Sequence, residues 1–162
     1  MNKALKTVGN NKGFTLLEFV VVVALAAVVM VATAMLITKG KESAAFSSVK
    51  DNIQIIQAGL AERKVFSPKM PLAATSSTTW PTDLGPYIPA DLRGGGNFPH
   101  GYKCAAADNQ VVIETPVLDD AKQATSVLQR LKDAGTCTAA STAASSKISC
   151  ILTAFDGTAN CS

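Results

Sequence analysis

The sequence has few of the residues that catalytic and metal sites require. His100 is its only histidine, and the flanking proline and glycine predict a solvent-exposed turn there. No Ser-His-Asp or Cys-His arrangement can be assembled around it. The cysteine spacings of 33, 13 and 11 residues include no close Cys-x-x-Cys pair, which disfavours a zinc site. The sequence therefore predicts a protein that is not an enzyme and that uses no metal or other cofactor.

Other ligand-binding patterns are incomplete as well. The triple glycine at 94–96 is not followed by the Lys-Ser/Thr of a phosphate-binding loop. Asp119, Asp120 and Asp133 do not have the spacing of a calcium loop. Basic residues of the second half alternate with acids instead of forming a cluster, so nucleic acid is a partner that the sequence does not support.

A long apolar run near the N terminus is the most informative feature that is present. The nineteen residues from Phe19 to Ile37 carry no formal charge, and 14–17 extend the run backwards across Glu18. A helix over 14–37 would be about 36 Å long, enough to cross a hydrocarbon core of about 30 Å. An ionised side chain at membrane depth is costly, so Glu18 is expected to have a partner or a function.

The stretch Lys12–Phe19, with the apolar helix that follows, resembles the prepilin motif of type IV pilins and type II secretion pseudopilins. In that family a membrane peptidase cuts after the glycine and methylates the new amine. The resemblance therefore implies cleavage between Gly13 and Phe14 and N-methylation of Phe14. The freed ammonium of Phe14 would neutralise Glu18 of its own chain or of a neighbouring subunit, where the pair would set the axial register of assembly.

Two other interpretations of the N terminus are a secretory signal peptide and a plain signal anchor. Residues 1–13 supply a basic front region, and the small residues at 32–34 fit a signal-peptidase site. However, the apolar region before residue 32 is longer than the usual stretch of about 7–15 residues, and a signal peptide gains nothing from Glu18. The prepilin interpretation is therefore favoured.

The distribution of charges predicts how the chain is oriented in the membrane. It also shows that the overall excess of basic residues comes from residues 1–13, so it says little about partners. Residues 1–13 contain three lysines and no acid, which favours a cytoplasmic N terminus. With the resemblance, this predicts a single-pass protein of the bacterial inner membrane with an exported head, and later a cell-surface pilus. Loss of 1–13 reduces fifteen basic residues to twelve, which equals the twelve acidic ones, so the mature chain is formally neutral.

All four cysteines lie beyond residue 103 of the 162-residue chain: Cys104, Cys137, Cys150 and Cys161. An even number in an exported segment predicts disulfides, and three pairings are available. We favour Cys150 with Cys161, because the turn at 156–157 would fold the tail back beside a strand. Cys104 would then pair with Cys137.

The chain is expected to comprise a leader at 1–13, a transmembrane and filament-core helix at 14–38, an amphipathic helix at 39–66 and a globular head at 67–162. Apolar residues at helical spacing support the amphipathic segment, although Gly40 and Gly59 each lower helix propensity by about 1 kcal/mol relative to alanine. Prolines 68 and 71 end the helix. The apolar positions are Val49, Ile53, Ile56 and Leu60.

The head is predicted to contain strands at 102–105, 110–115 and 147–154, the first two forming a hairpin. Asp119 and Asp120 are expected to cap a helix that Gly135 closes. The small polar residues at 73–79 and 136–146 predict a connection and a surface loop. The predicted fold class is α+β, with a long N-terminal helix, a small antiparallel sheet, an extra helix and disulfides.

The resemblance implies a structural subunit, major or minor, of a type IV pilus. Its expected partners are other pilin subunits, prepilin peptidase, the inner-membrane assembly machinery and, before assembly, membrane lipid. A pseudopilin of a type II secretion system and a membrane-anchored exported binding module are the alternatives. Two expected disulfides and a neutral mature chain favour the pilus.

Overall fold

A computed structural model of the protein describes residues 15–77, 79–94, 96, 98–105 and 109–162. The expected leader, Phe14 and the middle glycine of the 94–96 triplet lie outside the described residues. The chain divides into two compact units, Met1–Lys39 and Gly40–Ser162, which are taken separately below.

The first unit is helical throughout its described part. Helix α1 is assigned to Leu16–Phe66, and its residues up to Lys39 belong to this unit. All side chains of residues 15–39 are exposed. By length and composition alone, the helix is long and apolar enough to cross a membrane.

The second unit contains a five-stranded antiparallel sheet in the order β1-β2-β3-β5-β4. Strands β2 and β3 form the predicted hairpin, with Tyr102 opposite Ile113 and Cys104 opposite Val111. These four side chains are buried, so they face the core as the two-residue period requires. The strands are β1 Ala73–Ser77, β2 Gly101–Ala105, β3 Gln110–Glu114, β4 Thr142–Ala144 and β5 Lys147–Ile151.

Helix α2, Ala121–Asp133, begins and ends as the sequence predicts. Asp120 accepts a hydrogen bond from the backbone N–H of Gln123 at 2.6 Å, and the side chain of Gln123 accepts one from the backbone N–H of Asp119 at 2.9 Å. This reciprocal arrangement satisfies two donors at the helix start. Gly135 follows the helix with φ of +69°, a conformation that glycine adopts without steric cost.

The part of α1 within the second unit packs against the head through its predicted apolar face. Val49, Ile53, Ile56 and Leu60 are buried in the same core as the sheet and α2. Gly59 is buried among them, and a Cβ placed there would lie 2.3 Å from the carbonyl oxygen of Tyr87. The glycine therefore permits a close backbone contact, a role that its helix propensity did not suggest.

Two elements of the sheet lie where loops were expected. β1 falls within 73–79, and β4 falls within 136–146. Both are edge strands, each held by a single neighbour, β2 or β5 respectively. Small polar residues have weak strand propensity, so pairing with an existing neighbour decides their conformation. The α+β fold class, with its long helix, antiparallel sheet, second helix and two disulfides, is confirmed.

Candidate functional site

The predicted assembly residue Glu18 lies in the first turn of α1. The hydroxyl of Thr15 accepts a hydrogen bond from the backbone N–H of Glu18 at 3.3 Å, so Thr15 caps the helix. A carboxylate in the first turn also interacts favourably with the helix dipole. Gly13 and Phe14 lie outside the described residues, so cleavage, methylation and the pairing of Phe14 with Glu18 stay predictions.

Sequence reasoning missed the role of Thr15. The signal was present, because Thr15-Leu16-Leu17-Glu18 has the Thr-x-x-Glu spacing of a capping box. The cap fixes the start of α1 next to the predicted cleavage point. It also places the single carboxylate of the apolar run at a defined position in the first helical turn.

Beyond Glu18 the helix presents apolar side chains on all sides. Phe19 is 64% exposed, Leu25 62% and Met30 70%. A contiguous apolar surface of this extent is characteristic of contact with lipid or with other protein. Removing this apolar surface from water, into lipid or against protein, is favourable by about 25 cal/mol per Å².

One face of this helix forms a shallow apolar groove. Its lining residues recur at the spacing of one helix face, and small alanines alternate there with larger side chains. Small residues allow two helix backbones to approach closely within a membrane or a bundle. The groove is lined by Ala27, Val28, Val31, Ala32 and Met35.

The threonines of the apolar run satisfy their own hydroxyl groups. Thr33 donates to the carbonyl of Met30 at 3.0 Å, and Thr38 donates to that of Ala34 at 3.0 Å. A hydroxyl that donates to its own helix needs no water, so it is compatible with a hydrocarbon environment.

Glu18 is the only acid among the described residues 15–41.

The cysteines form two disulfides, but the favoured pairing is wrong. The bonds join Cys104 to Cys161 and Cys137 to Cys150, with Cα–Cα distances of 5.6 and 5.3 Å. The turn at 156–157 is present, with Gly157 at φ +65°.

The error lies in the direction of the C-terminal tail. The backbone N–H of Ala159 donates to the carbonyl of Asn109, and a parallel bridge joins Met70 to Cys161. These contacts hold the tail away from β5 and bring Cys161 beside Cys104. An antiparallel bridge between Cys137 and Leu152 places Cys137 beside the end of β5, where it meets Cys150.

His100 is buried, which overturns the expectation of an exposed turn. Its Nδ1 lies 2.7 Å from the carbonyl oxygen of Phe98, so Nδ1 carries the proton and donates. Trp80 Nε1 donates to the carbonyl of His100 at 2.7 Å, and its ring packs 5.1 Å from that of Tyr102. Burial lowers the pKa of His100, while the hydrogen bond to Phe98 opposes this effect.

The part of the chain that the structure describes contains no group of three or more His, Cys, Asp or Glu residues that could hold a metal ion. All four cysteines are in disulfides. The candidate functional site consists of a capped helix start, one carboxylate and an exposed apolar face.

Comparison with known proteins places a family signature on this same segment. A family model described as the prokaryotic N-terminal methylation motif matches residues 9–34. This motif is the signature of type IV pilins and pseudopilins, so the recognition made from the sequence is confirmed. Neither the curated proteins nor the solved structures include a significant match to the chain.

Proposed function

We propose, from the methylation signature at residues 9–34, that this protein is a structural subunit of a type IV pilus. The signature supports a pilin-like or pseudopilin protein, its assembly with other pilin subunits and its processing by prepilin peptidase. The observation that carries the proposal is the single carboxylate of Glu18, in the capped first turn of an apolar helical segment whose residues 15–39 all have exposed side chains.

In the first step, prepilin peptidase cuts between Gly13 and Phe14 and methylates the new amine. The product has a cation at Phe14, four residues before the anion of Glu18. Opposite charges at this spacing meet within one helix, and the same pair can form between neighbouring subunits. Neutralisation removes the cost of holding an isolated carboxylate at membrane depth.

In the second step, the apolar helix leaves the inner membrane and enters a bundle of identical helices. Water is excluded as an intermediate environment because exposing the apolar surface would cost about 25 cal/mol per Å². The inner-membrane assembly machinery therefore has to transfer the helix directly from lipid to protein. The groove from Ala27 to Met35 is where a neighbouring helix can approach closely.

This function assigns no catalytic role to the protein, which acts as a substrate of its processing enzyme. The methylation signature points in the same direction, towards a structural subunit. The N terminus is proposed to stay in the cytoplasm until cleavage, with residues 39–66 packing on an exported head formed by 67–162.

A pseudopilin of a type II secretion system is the second candidate, since it carries the same N-terminal signature. Two disulfides in the head and a formally neutral mature chain favour a filament exposed outside the cell. A membrane-anchored binding module is the third, and it would show no polymerisation dependent on Glu18.

The test compares Glu18→Ala with Glu42→Ala, a matched carboxylate on the same helix beyond the apolar run. Mass spectrometry of the N terminus measures processing, and electron microscopy with proteomics of the sheared fraction measures assembly. We expect Glu18→Ala to be cut before Phe14 and to lose filaments, while Glu42→Ala assembles normally. Wild-type filament yield from Glu18→Ala, or a mature chain beginning elsewhere, contradicts the proposal.

The same fractions separate the two filament systems. Recovery of the subunit in sheared filaments supports a pilus, abundant for a major subunit and in trace amounts for a minor one. Retention with the cells, together with loss of protein secretion when the subunit is deleted, supports a pseudopilin instead.

A further inference from the structure

A cleft of about 270 Å³ opens in the second unit, well away from the N-terminal signature in sequence. Its walls come from three places: α1 between Ala45 and Asn52, the segment before β2 at Phe98 and His100, and the segment before α2 at 116–118. The volume lies just below the range of about 300–1,000 Å³ for sites of drug-sized ligands, so it suits a single ring.

Three polar side chains with unused hydrogen-bonding capacity meet at this cleft. Nε2 of His100 is buried and has no partner, and it can only accept because Nδ1 carries the proton. Ser48 and Asn52 also line the cleft, and no hydrogen bond of their side chains is seen within the described residues. Buried polar atoms without a protein partner are rare, so Nε2 of His100 is an acceptor available to a donor group of a ligand.

The rest of the cleft is apolar. Phe98 is 54% exposed and Val117 is 66% exposed, although both have large apolar side chains. Among the described residues that line the cleft, none carries a formal charge. A charged ligand would have no counter-ion there, so the occupant is expected to be neutral.

These features together select a class of ligand. The occupant has to be uncharged, one ring in size, able to make several hydrogen bonds and apolar on one face. A pyranose ring meets each requirement, because its hydroxyls both donate and accept while its C–H face packs on an aromatic ring. A phenolic ring would use only one of the three polar groups.

We propose that this cleft binds an uncharged sugar ring. Phe98 packs against the C–H face of the sugar, Ser48 and Asn52 hydrogen-bond its hydroxyls, and one hydroxyl donates to Nε2 of His100. Because Nε2 is buried in the sugar-free cleft, the side chains that cover it have to move for that hydroxyl to reach it. The proposal does not depend on whether the protein assembles into a filament.

The test uses the full chain in detergent and saturation-transfer-difference NMR. The probes are the methyl pyranosides of glucose, galactose and mannose, with the methyl glycoside of glucuronic acid as a charged comparison and p-cresol as a phenolic one. We expect saturation transfer to at least one neutral pyranoside, and little to the charged sugar or to p-cresol.

Two variants assign the signal to the cleft. Asn52→Leu is expected to weaken binding of that pyranoside about tenfold, because one hydrogen bond from a half-buried side chain to the sugar is lost. Gln54→Leu is the matched control, since it makes a similar change at an exposed position two residues along the same helix and should bind as wild type does. Non-reducing peptide mapping confirms that both variants keep the two disulfides.

Several results would overturn the proposal. The first is the absence of saturation transfer to all three neutral pyranosides. The second is equal binding by Asn52→Leu and Gln54→Leu, which would place the sugar elsewhere. A preference for p-cresol would assign the cleft to a phenolic side chain instead of a sugar.

Discussion

His100 is held in a buried position by hydrogen bonds on three of its polar groups, and its backbone N–H donates to the carbonyl of Leu92 at 3.0 Å. Its Nδ1 donates to the carbonyl of Phe98, and its own carbonyl accepts from Trp80. The neighbouring proline and glycine predicted an exposed turn, because both residues are common in turns. The contact with Trp80 joins residues that are twenty positions apart, so local composition could not indicate it.

The burial of His100 predicts a pH dependence of stability. The folded pKa lies below the ordinary value of 6.5, chiefly because burial penalises the imidazolium form. Below pH 6.5 the unfolded state therefore binds more protons than the folded state, and the free energy of unfolding falls as the pH decreases towards the folded pKa. Above pH 6.5 this contribution is constant.

Denaturant unfolding at pH 7.5 and 5.5, followed by the fluorescence of Trp80, measures this effect. Trp80 is the only tryptophan of the chain and lies beside His100. His100→Gln removes the titrating group, so it should lose less stability than the wild type between the two pH values. An equal loss in both proteins would show that other groups control this range.

The two glycines of helix α1 differ in their surroundings: Gly59 is closely packed, and Gly40 has open space around it. A Cβ at Gly59 would lie 2.3 Å from the Tyr87 carbonyl oxygen and 2.7 Å from Cδ1 of Ile88. A Cβ at Gly40 would have no atom within 4 Å among the described residues. The same residue type thus has a packing role in one place and only a propensity cost in the other.

We expect Gly59→Ala to destabilise the head by about 1–3 kcal/mol, the usual cost of overpacking. Gly40→Ala is the matched control and should be neutral or stabilising by up to about 1 kcal/mol, because alanine favours the helix. Denaturant unfolding of the two full-length variants in detergent gives both values. Similar stabilities for the two would contradict the close contact between Gly59 and Tyr87.

At the scale of the elements, the helices were more predictable than the sheet. Helix α1 and α2 carry their own caps and apolar periodicity, so their positions depend mainly on nearby residues. The central hairpin was also predicted, from the apolar run at 111–113. Strands β1 and β4 were missed because each depends on a neighbour for its hydrogen bonds rather than on strong strand propensity.

At the scale of the whole molecule, the two units differ in how far their apolar side chains are buried. The first unit leaves its apolar side chains exposed and requires lipid or other subunits. The second unit has one core of buried apolar side chains, and disulfides join distant parts of its chain. All four disulfide-bonded cysteines are buried.

The disulfides predict a ranking of stability losses. Cys104–Cys161 spans 57 residues, and Cys137–Cys150 spans 13. In the chain-entropy model, these loop lengths correspond to about 4 and about 3 kcal/mol of stabilisation. The double variant Cys104→Ser/Cys161→Ser should therefore unfold at lower denaturant concentration than Cys137→Ser/Cys150→Ser.

Non-reducing peptide mapping of the wild type provides the control for this ranking. It should recover the linked peptides of Cys104–Cys161 and of Cys137–Cys150. A peptide that links Cys150 to Cys161 would contradict the structure. The reverse order of stability in the two double variants would contradict the chain-entropy argument while leaving the pairing intact.

The sequence by itself determined the N-terminal signature, the membrane-length helix, the position of Glu18, the capped helix α2 and the presence of disulfides. These features depend on local spacing, because a cap, a helical face and an apolar run each involve neighbouring residues. Only the tertiary structure decided which cysteines pair, that His100 is buried and that three polar side chains meet at one cleft. Each of these depends on distant segments coming together: the tail lies beside Met70 and Asn109, and Phe98 and His100 line one cleft with residues of α1.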